Sequence, residues 1–383
     1  MTATVLLVST ATRWLGTARI PRGLAKAGFE VALLTPRNSL AEKSRYVARI
    51  GYLSDVTNPL QWVSAFAGMV KATAPQIVVP CDEMAFRLLQ MLALSPPDNL
   101  QPALHLELAA LIRESLGNPA HYRVSVDKTL LPAAAAALGV RVPAHRSIAS
   151  LAEAKEFTKE HPYPAVLKRR HGFAGHGVAV CADVDDLTAA WNRLCVPEPL
   201  TLERESGPVL LMQTFVRGAT VSRSTVAWRG RSLAGTSRER LMMNPPQTGP
   251  ATVVRYIHQP EVARFSAMLV EGFGMSGFSG IEFRVEQATG AAYLLEINRR
   301  ITPGAPTSDL VGIDLCAALH AAVTGGESSV PYDVPPGTDR IVVRFPQEWL
   351  RDPESPYLCG YPIDAPWDDP DVFEAMLAMR KEH

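Results

Sequence analysis

The chain has 383 residues, 47% apolar and 20% charged, with 38 basic side chains balanced by 38 acidic ones. That length suits two or three domains with a substantial core, and a net charge of zero gives no general attraction to nucleic acid or to acidic membranes. Five scattered cysteines without a CxxC pair, and an amino terminus (MTATVLLVST) with neither a basic region nor a long apolar run, argue against a disulfide framework, a structural zinc site, a signal peptide or a membrane span, and suit a cytoplasmic protein.

Residues 4–8 (TVLLV) predict a buried strand, followed by a Ser/Thr loop and a helix ending near Gly28. A strand over 29–34, a helix over 61–71, a strand over 76–80 and a helix over 83–94 come next. Strands alternating with helices predict a parallel, doubly wound sheet. Its ligands would lie beyond the carboxyl ends of the strands, at residues 9–16 and 81–83. No GxGxxG follows the first strand, which disfavours a dinucleotide site and an NAD-dependent dehydrogenase.

Asp127 is expected to cap a helix running to Leu138, placing Lys128 in its first turn. A cation is disfavoured there unless an anion lies nearby; a surface lysine is the plainer reading. Ser150 to Glu153 forms a capping box for a helix ending near His161. The segment YPAVLKRRHGFAGHGVAV reads as a strand, a loop carrying Gly172, Gly175 and Gly177, and a return strand. Glycines so spaced let backbone N–H groups turn toward an anion, and Lys168 ends the strand that leads into them. His171 and His176 beside these glycines could touch phosphate or act as bases, although loop histidines more often face solvent. The absence of GKS or GKT excludes a Walker loop, and an ordinary hairpin with a solvated run at Lys168 to Arg170 remains the alternative.

A helix over 183–194 precedes a strand interrupted by Gln213 and Thr214 and broken at Arg217-Gly218. Residues 230–252 read as a long polar stretch without periodicity, of the kind that is more often functional than accidental. A helix over 261–272 then leads into GFSGIEFRVEQATGAAYLLEINRR, residues 277–300, which predicts two strands joined at 287–290. Alternation puts Glu282 on a face with Arg284, and Leu294, Glu296, Asn298 and Arg300 together on one face of the second strand. Pairing symmetrically about Thr289 would set Glu282 opposite Glu296, like charges that need a cation between them. Two carboxylates and an amide oxygen form the hard donor set that Mg²⁺ takes; a charged strand end leaving the core is the bland alternative. A loop over 302–312, a helix over 314–323, a strand over 340–345 and a proline- and aspartate-rich tail complete the chain.

This order of features resembles the ATP-grasp superfamily, most strongly from about Lys128 to Gly312. The features are a lysine near a helix start, a lysine before a glycine hairpin, a connecting strand, and an acidic strand followed by Glu-x-Asn. The resemblance implies an α/β (α+β) fold with an amino-terminal Rossmann-like parallel-sheet domain (1–118), a small central lid domain (119–213) and a carboxy-terminal antiparallel-sheet domain (214–383), ATP lying between the last two. It implies that Lys128 and Lys168 contact ATP phosphates under the Gly172, Gly175 and Gly177 loop, and that Gln213, Phe215 and Val216 line the adenine pocket. Glu282, Glu296 and Asn298 would hold one or two Mg²⁺ ions, with Mn²⁺ as a substitute. Arg300, the last residue of a Glu-Ile-Asn-Pro-Arg-like motif, would act catalytically with Lys168 on the transferred phosphoryl group.

Three departures stand out. Arg299 replaces the motif's proline, Thr220 stands where many members carry a ribose-binding glutamate, and Gln213 stands where a glutamate is common. The implied activity is an ATP-dependent carboxylate–amine ligase working through an acyl phosphate. A kinase acting on a small-molecule hydroxyl and a non-catalytic nucleotide-binding module are the alternatives. Expected partners are a small-molecule carboxylate and an amine, with a homodimer allowed and neither nucleic acid nor membrane involved. Arg238, Arg240, Arg255 and Thr302 are the candidate substrate contacts.

Overall fold

The computed structural model describes residues 2–53, 58–95, 100–172, 177–195, 209–246 and 249–379. Four parallel strands, β1 (Thr4–Val8), β2 (Glu30–Pro36), β3 (Arg49–Leu53) and β4 (Ile77–Pro80), pair in the order β3-β2-β1-β4. Both faces of this sheet are covered: Val5, Leu7, Val31 and Leu33 enter one apolar cluster, while Leu6, Val8, Ala32 and Leu34 enter another. That double burial is why these strands read as continuous apolar runs. β3, unassigned from sequence, is a mostly exposed edge strand with a glycine at its centre, so it carries neither an alternating nor a continuous apolar signal.

The second sheet is antiparallel, β5-β8-β6-β7, built from β5 (His145–Ile148), β6 (Ala165–Arg169), β7 (Val178–Cys181) and β8 (Leu210–Thr214). Its helix at Leu151–Glu160 carries the expected capping box: Ser150 Oγ accepts from the Glu153 N–H at 3.2 Å, and Glu153 Oε2 accepts from the Ala149 N–H at 2.9 Å.

The third sheet has seven strands, β9 (Gly218–Trp228), β10 (Arg231–Met243), β11 (Ala251–Ile257), β12 (Gly277–Glu286), β13 (Ala292–Asn298), β14 (Asp339–Arg344) and β15 (Ile363–Asp364), in the order β13-β12-β9-β10-β11-β14-β15. All its pairs are antiparallel except β14 with β15. Most of the stretch read as irregular at 230–252 is the 13-residue strand β10. Its central residues are buried on both faces and mix polar with apolar side chains, as where Ser237 Oγ accepts from Arg223 Nη1 at 3.1 Å. Hydropathy therefore does not alternate along it.

The helix expected from Asp127 begins later, at Leu131, and ends at Ala137. Asp127 Oδ1 instead accepts from the Thr129 N–H at 2.9 Å and from its hydroxyl at 2.6 Å. Lys128 thus sits in a tight connection, not in a helical turn. No helix among the described residues is long and apolar enough to cross a membrane.

Candidate active site

A cavity of about 280 Å³ opens between the second and third sheets. Val166 of β6, Val178 and Val180 of β7, and the segment Gln213 to Val216 leaving β8 form an apolar slot at one side. Gln213 is buried in that wall, and its Nε2 has no hydrogen-bond partner. The break at Arg217-Gly218 has a backbone cause: Gly218 has φ 151°, and a Cβ there would lie 1.9 Å from the Val285 carbonyl oxygen. Arg284 Nη1 donates to the Gly218 carbonyl at 3.0 Å, and its guanidinium lies 5.6 Å from the centre of the Phe215 ring, bracing the slot from below. Thr220 also lines it.

Across the cavity floor, β12 and β13 place Glu282 directly opposite Glu296, as symmetry about Thr289 requires. The register then slips between Glu282 and Phe283, and Leu295 is the unpaired extra residue. One expectation is corrected by this bulge: Leu294 does not share a face with Glu296. It lies in the apolar core with Phe283, while Leu295, Glu296 and Asn298 line the cavity.

The two carboxylates are held by separate cations. Arg240 Nη2 pairs with Glu282, and Lys128 Nζ lies 3.3 Å from Glu296 Oε2. Burial, helped by the charge of Glu296, pushes Glu282 above its ordinary pKa despite Arg240. Burial works the same way on Glu296, but Lys128 and Lys168 together outweigh it and hold this carboxyl below its ordinary value. With Asn298 Oδ1 on the same wall, the set is all oxygen and fits a hard divalent cation. Two carboxylates and an amide leave the remaining octahedral positions to water or phosphate oxygens.

Lys168 is buried in the cavity wall at the end of β6, and burial brings its pKa down to about 8. Lys128 lies off the cavity wall, where its Nζ donates to the Gly172 carbonyl at 2.7 Å and its backbone N–H to Arg170 at 3.0 Å, tethering the start of the glycine loop to Glu296. Gly172 has φ 131°, a conformation that favours glycine. Gly175 and His176 lie outside the described residues, and Gly177 rejoins β7. His171 is brought down to a pKa of about 4, first by burial and then by Arg87, so it is neutral at pH 7.

Arg300 lies on the cavity wall with Nη2 3.3 Å from Asn298 Oδ1 and its guanidinium 5.3 Å from the centre of the Trp14 ring. Arg238, Arg240 and Thr302 line the cavity too. Arg255 is not brought there: on β11 it pairs with Glu239, Nε to Oε2 at 3.1 Å, on the opposite face of the sheet from Val254. Of residues 81–83, Asp82 is committed to its neighbours, its carboxylate accepting from Ser9 Oγ, Thr10 N–H and hydroxyl, and the Ala85 N–H at 2.6–2.9 Å, while Glu83 stands close enough to Arg300, Lys128 and Glu296 to feel their charges. Trp14, from the 9–16 loop expected to meet a ligand, lines the cavity; Arg344 and Gln347 line it as well and escape a reading of the sequence, since no local pattern marks the end of β14.

Arg299, the departure from the motif, points away from the cavity and is fully buried. It donates from Nη1 to Ser125 Oγ at 3.0 Å and from Nη2 to the Leu116 carbonyl, with its guanidinium 5.3 Å from the centre of the Phe86 ring. It ties β13's exit to the helices that carry Leu116 and Ser125.

Residues 126–304 match a family model described as an ATP-grasp domain. Among curated proteins, the arginine-specific large chain of carbamoyl phosphate synthase from Cutaneotrichosporon cutaneum is 24% identical over 238 residues, covering 58% of this chain and 20% of that one. The N-terminal section of the large chain from Methanopyrus kandleri is 23% identical over 230 residues, covering 55% and 39%. The chain therefore spans well under half the length of these relatives. Among solved structures, the biotin carboxylase domain of Hydrogenobacter thermophilus 2-oxoglutarate carboxylase, described with MgADP, ADP and bicarbonate, superposes with a TM-score of 0.62 at 16% identity, covering 86% of this chain and 71% of that one. N5-carboxyaminoimidazole synthetase from Staphylococcus aureus with ADP gives a TM-score of 0.62 at 14% identity, covering 89% and 82%. At these identities the likeness is one of fold.

Proposed function

We propose, from the premise that the chain carries an ATP-grasp domain over residues 126–304, that it is an ATP-dependent ligase joining a carboxylate to an amine with release of ADP and phosphate. The observation that supports this most is the convergence on one cavity of Glu282, Glu296, Asn298, Lys168 and Arg300 with the unpartnered amide of Gln213.

In this reading Gln213 meets the adenine edge and the valine-lined slot its faces. Lys168 takes phosphate oxygens, and Lys128 keeps the glycine loop against them. Glu282, Glu296 and Asn298 would hold Mg²⁺, which would supply charge neutralisation for the phosphates. Arg240 would then exchange its pairing with Glu282 for phosphate oxygens. Arg300 faces the position where the substrate carboxylate attacks the γ-phosphorus in line. The P–O bond to ADP breaks as the acyl–phosphate bond forms, and the amine then displaces phosphate from the acyl carbon with loss of a proton. Phosphoryl transfer needs chiefly positioning and fixed positive charge, which Lys168 and Arg300 on the cavity wall, with Lys128 behind it, would supply.

The test is to incubate the chain with ATP, Mg²⁺ and pools of amino and organic acids. ADP release and the product mass are then followed. ADP release that depends on both an acid and an amine, with a new amide in the product, is expected. A phosphorylated product without an amide would identify a kinase instead, and nucleotide binding with no ADP release from any pool would count against catalysis.

A further inference from the structure

We infer that the part of the cavity between β10 and β14 anchors an anionic group of the substrate other than the carboxylate that is activated, with Arg238 as the anchor and Arg344 beside it. This rests on the ligase reading above and narrows the acid to one carrying two anionic groups.

Arg238 is 4% exposed. Its Nη2 donates to Ser224 Oγ at 2.7 Å and its guanidinium stands 5.7 Å from the centre of the Tyr256 ring, but Nε and Nη1 have no hydrogen-bond partner among the described residues. No carboxylate pairs with it among the described residues. Buried donors are nearly always satisfied, and a buried guanidinium without a counter-charge is strongly disfavoured. The local structure nevertheless makes room for it, because a Cβ on Gly304 would lie 1.1 Å from Nη1. Arg344, also buried, has among the described residues only the edge of a carboxylate, with Nη1 4.0 Å from an Asp364 oxygen, and Asp364 is shared with Arg19. Gln347, on the same wall, has an Oε1 without a partner and offers an acceptor to a donor on the same substrate. Two arginines, both lining the cavity and poorly compensated, match a carboxylate or a phosphate, each of which accepts a guanidinium fork.

In this inference the activated carboxylate is a separate group. In the sheet register Ser222 separates Arg238 from Glu282, so the two lie two strands apart, on the order of 10 Å between backbones. A carboxylate near Glu282, Glu296 and Arg300 leaves Arg238 unfilled, and an acid with a second anionic group a few bonds away reaches both.

The experiment is calorimetric titration of the full chain, saturated with MgADP, against three kinds of probe. Butyrate carries one carboxylate, succinate and glutarate carry two, and 3-phosphoglycerate carries a carboxylate and a phosphate. Either a dicarboxylate or the phosphorylated acid is expected to bind at least tenfold more tightly than butyrate, and which of the two does so identifies the second group. Arg238→Gln is expected to erase that preference, and Arg344→Gln to reduce it. Thermal melting and MgADP affinity serve as checks that the variants fold; if Arg238→Gln does not fold, Gly304→Ala, which crowds the guanidinium, replaces it. Equal binding of one- and two-anion acids by the unaltered chain, or a preference that survives in the folded variants, would overturn the inference. Loss of butyrate and dicarboxylate binding to the same degree would also overturn it, by assigning Arg238 to the reacting carboxylate. A selective two-anion site without ADP release from any acid would leave this inference standing and remove the ligase reading.

Discussion

Replacing Arg299 by methionine separates a structural role from a chemical one. The side chain makes two hydrogen bonds from a charged donor, to Ser125 Oγ and to the Leu116 carbonyl, together about 5 kcal/mol at typical strengths. Against this, burial brings its pKa down from 12.5 to about 10, a cost of about 3 kcal/mol to the charged form. Methionine fills much of the same volume, relieves that cost and leaves two acceptors without their donor. The net expectation is a destabilisation of about 2 kcal/mol, or roughly 2–3 °C in melting temperature for a chain of 383 residues. Thermal and urea unfolding measure it, and substrate-dependent ADP release is followed well below the transition. Arg299→Met is expected to keep most of its turnover there. Unchanged melting together with a collapse of kcat would refute the reasoning and place Arg299 in the reaction.

Glu296→Gln keeps the shape of β13 but removes a carboxylate, and Mg²⁺-dependent ADP release should fall by about 10²-fold or more; retained turnover would sink the metal assignment, with circular dichroism reporting the fold. Lys168, with its pKa brought to about 8 by burial, gives opposite pH trends in one window. Between about 8 and the ordinary 10.5, the unfolded chain binds the extra proton, so stability without nucleotide should rise with pH, while ATP affinity should weaken as the ammonium is lost. Lys168→Met should abolish both trends, and unfolding and nucleotide titrations at pH 7 to 10.5 decide it. Gln213→Leu should weaken ADP by roughly tenfold through a lost adenine contact, measured by calorimetry. An unchanged affinity would remove Gln213 from the nucleotide site.

Much of the candidate site was legible because its chemistry is local. Glu282 opposite Glu296, Lys168 ahead of its glycines and Gln213 interrupting an apolar strand all follow from side-chain alternation and turn composition within short segments. The misreadings have local causes too. Leu295 is a bulge, which a strict two-residue period cannot anticipate, and it turned Leu294 into the core. β10 was hidden because a strand whose middle is buried on both faces, with polar side chains among the apolar ones, shows no hydropathy period. Arg255 and Arg238 look alike in sequence, but Arg238 stands on the cavity face of the sheet and Arg255 on the other face.

By itself the sequence determined the parallel first sheet, the acidic hairpin and the order of cation-bearing segments along the chain. Each of these depends on periodicity or on neighbours a few residues away. Only the tertiary structure decided which arginines face the cavity, that Lys128 reaches Glu296 and Gly172, that Trp14, Arg344 and Gln347 complete the wall, and that Arg299 is a buried tie. Those outcomes depend on contacts between residues as far apart as Leu116 and Arg299, and the register and packing that bring them together leave no trace in any short window of sequence.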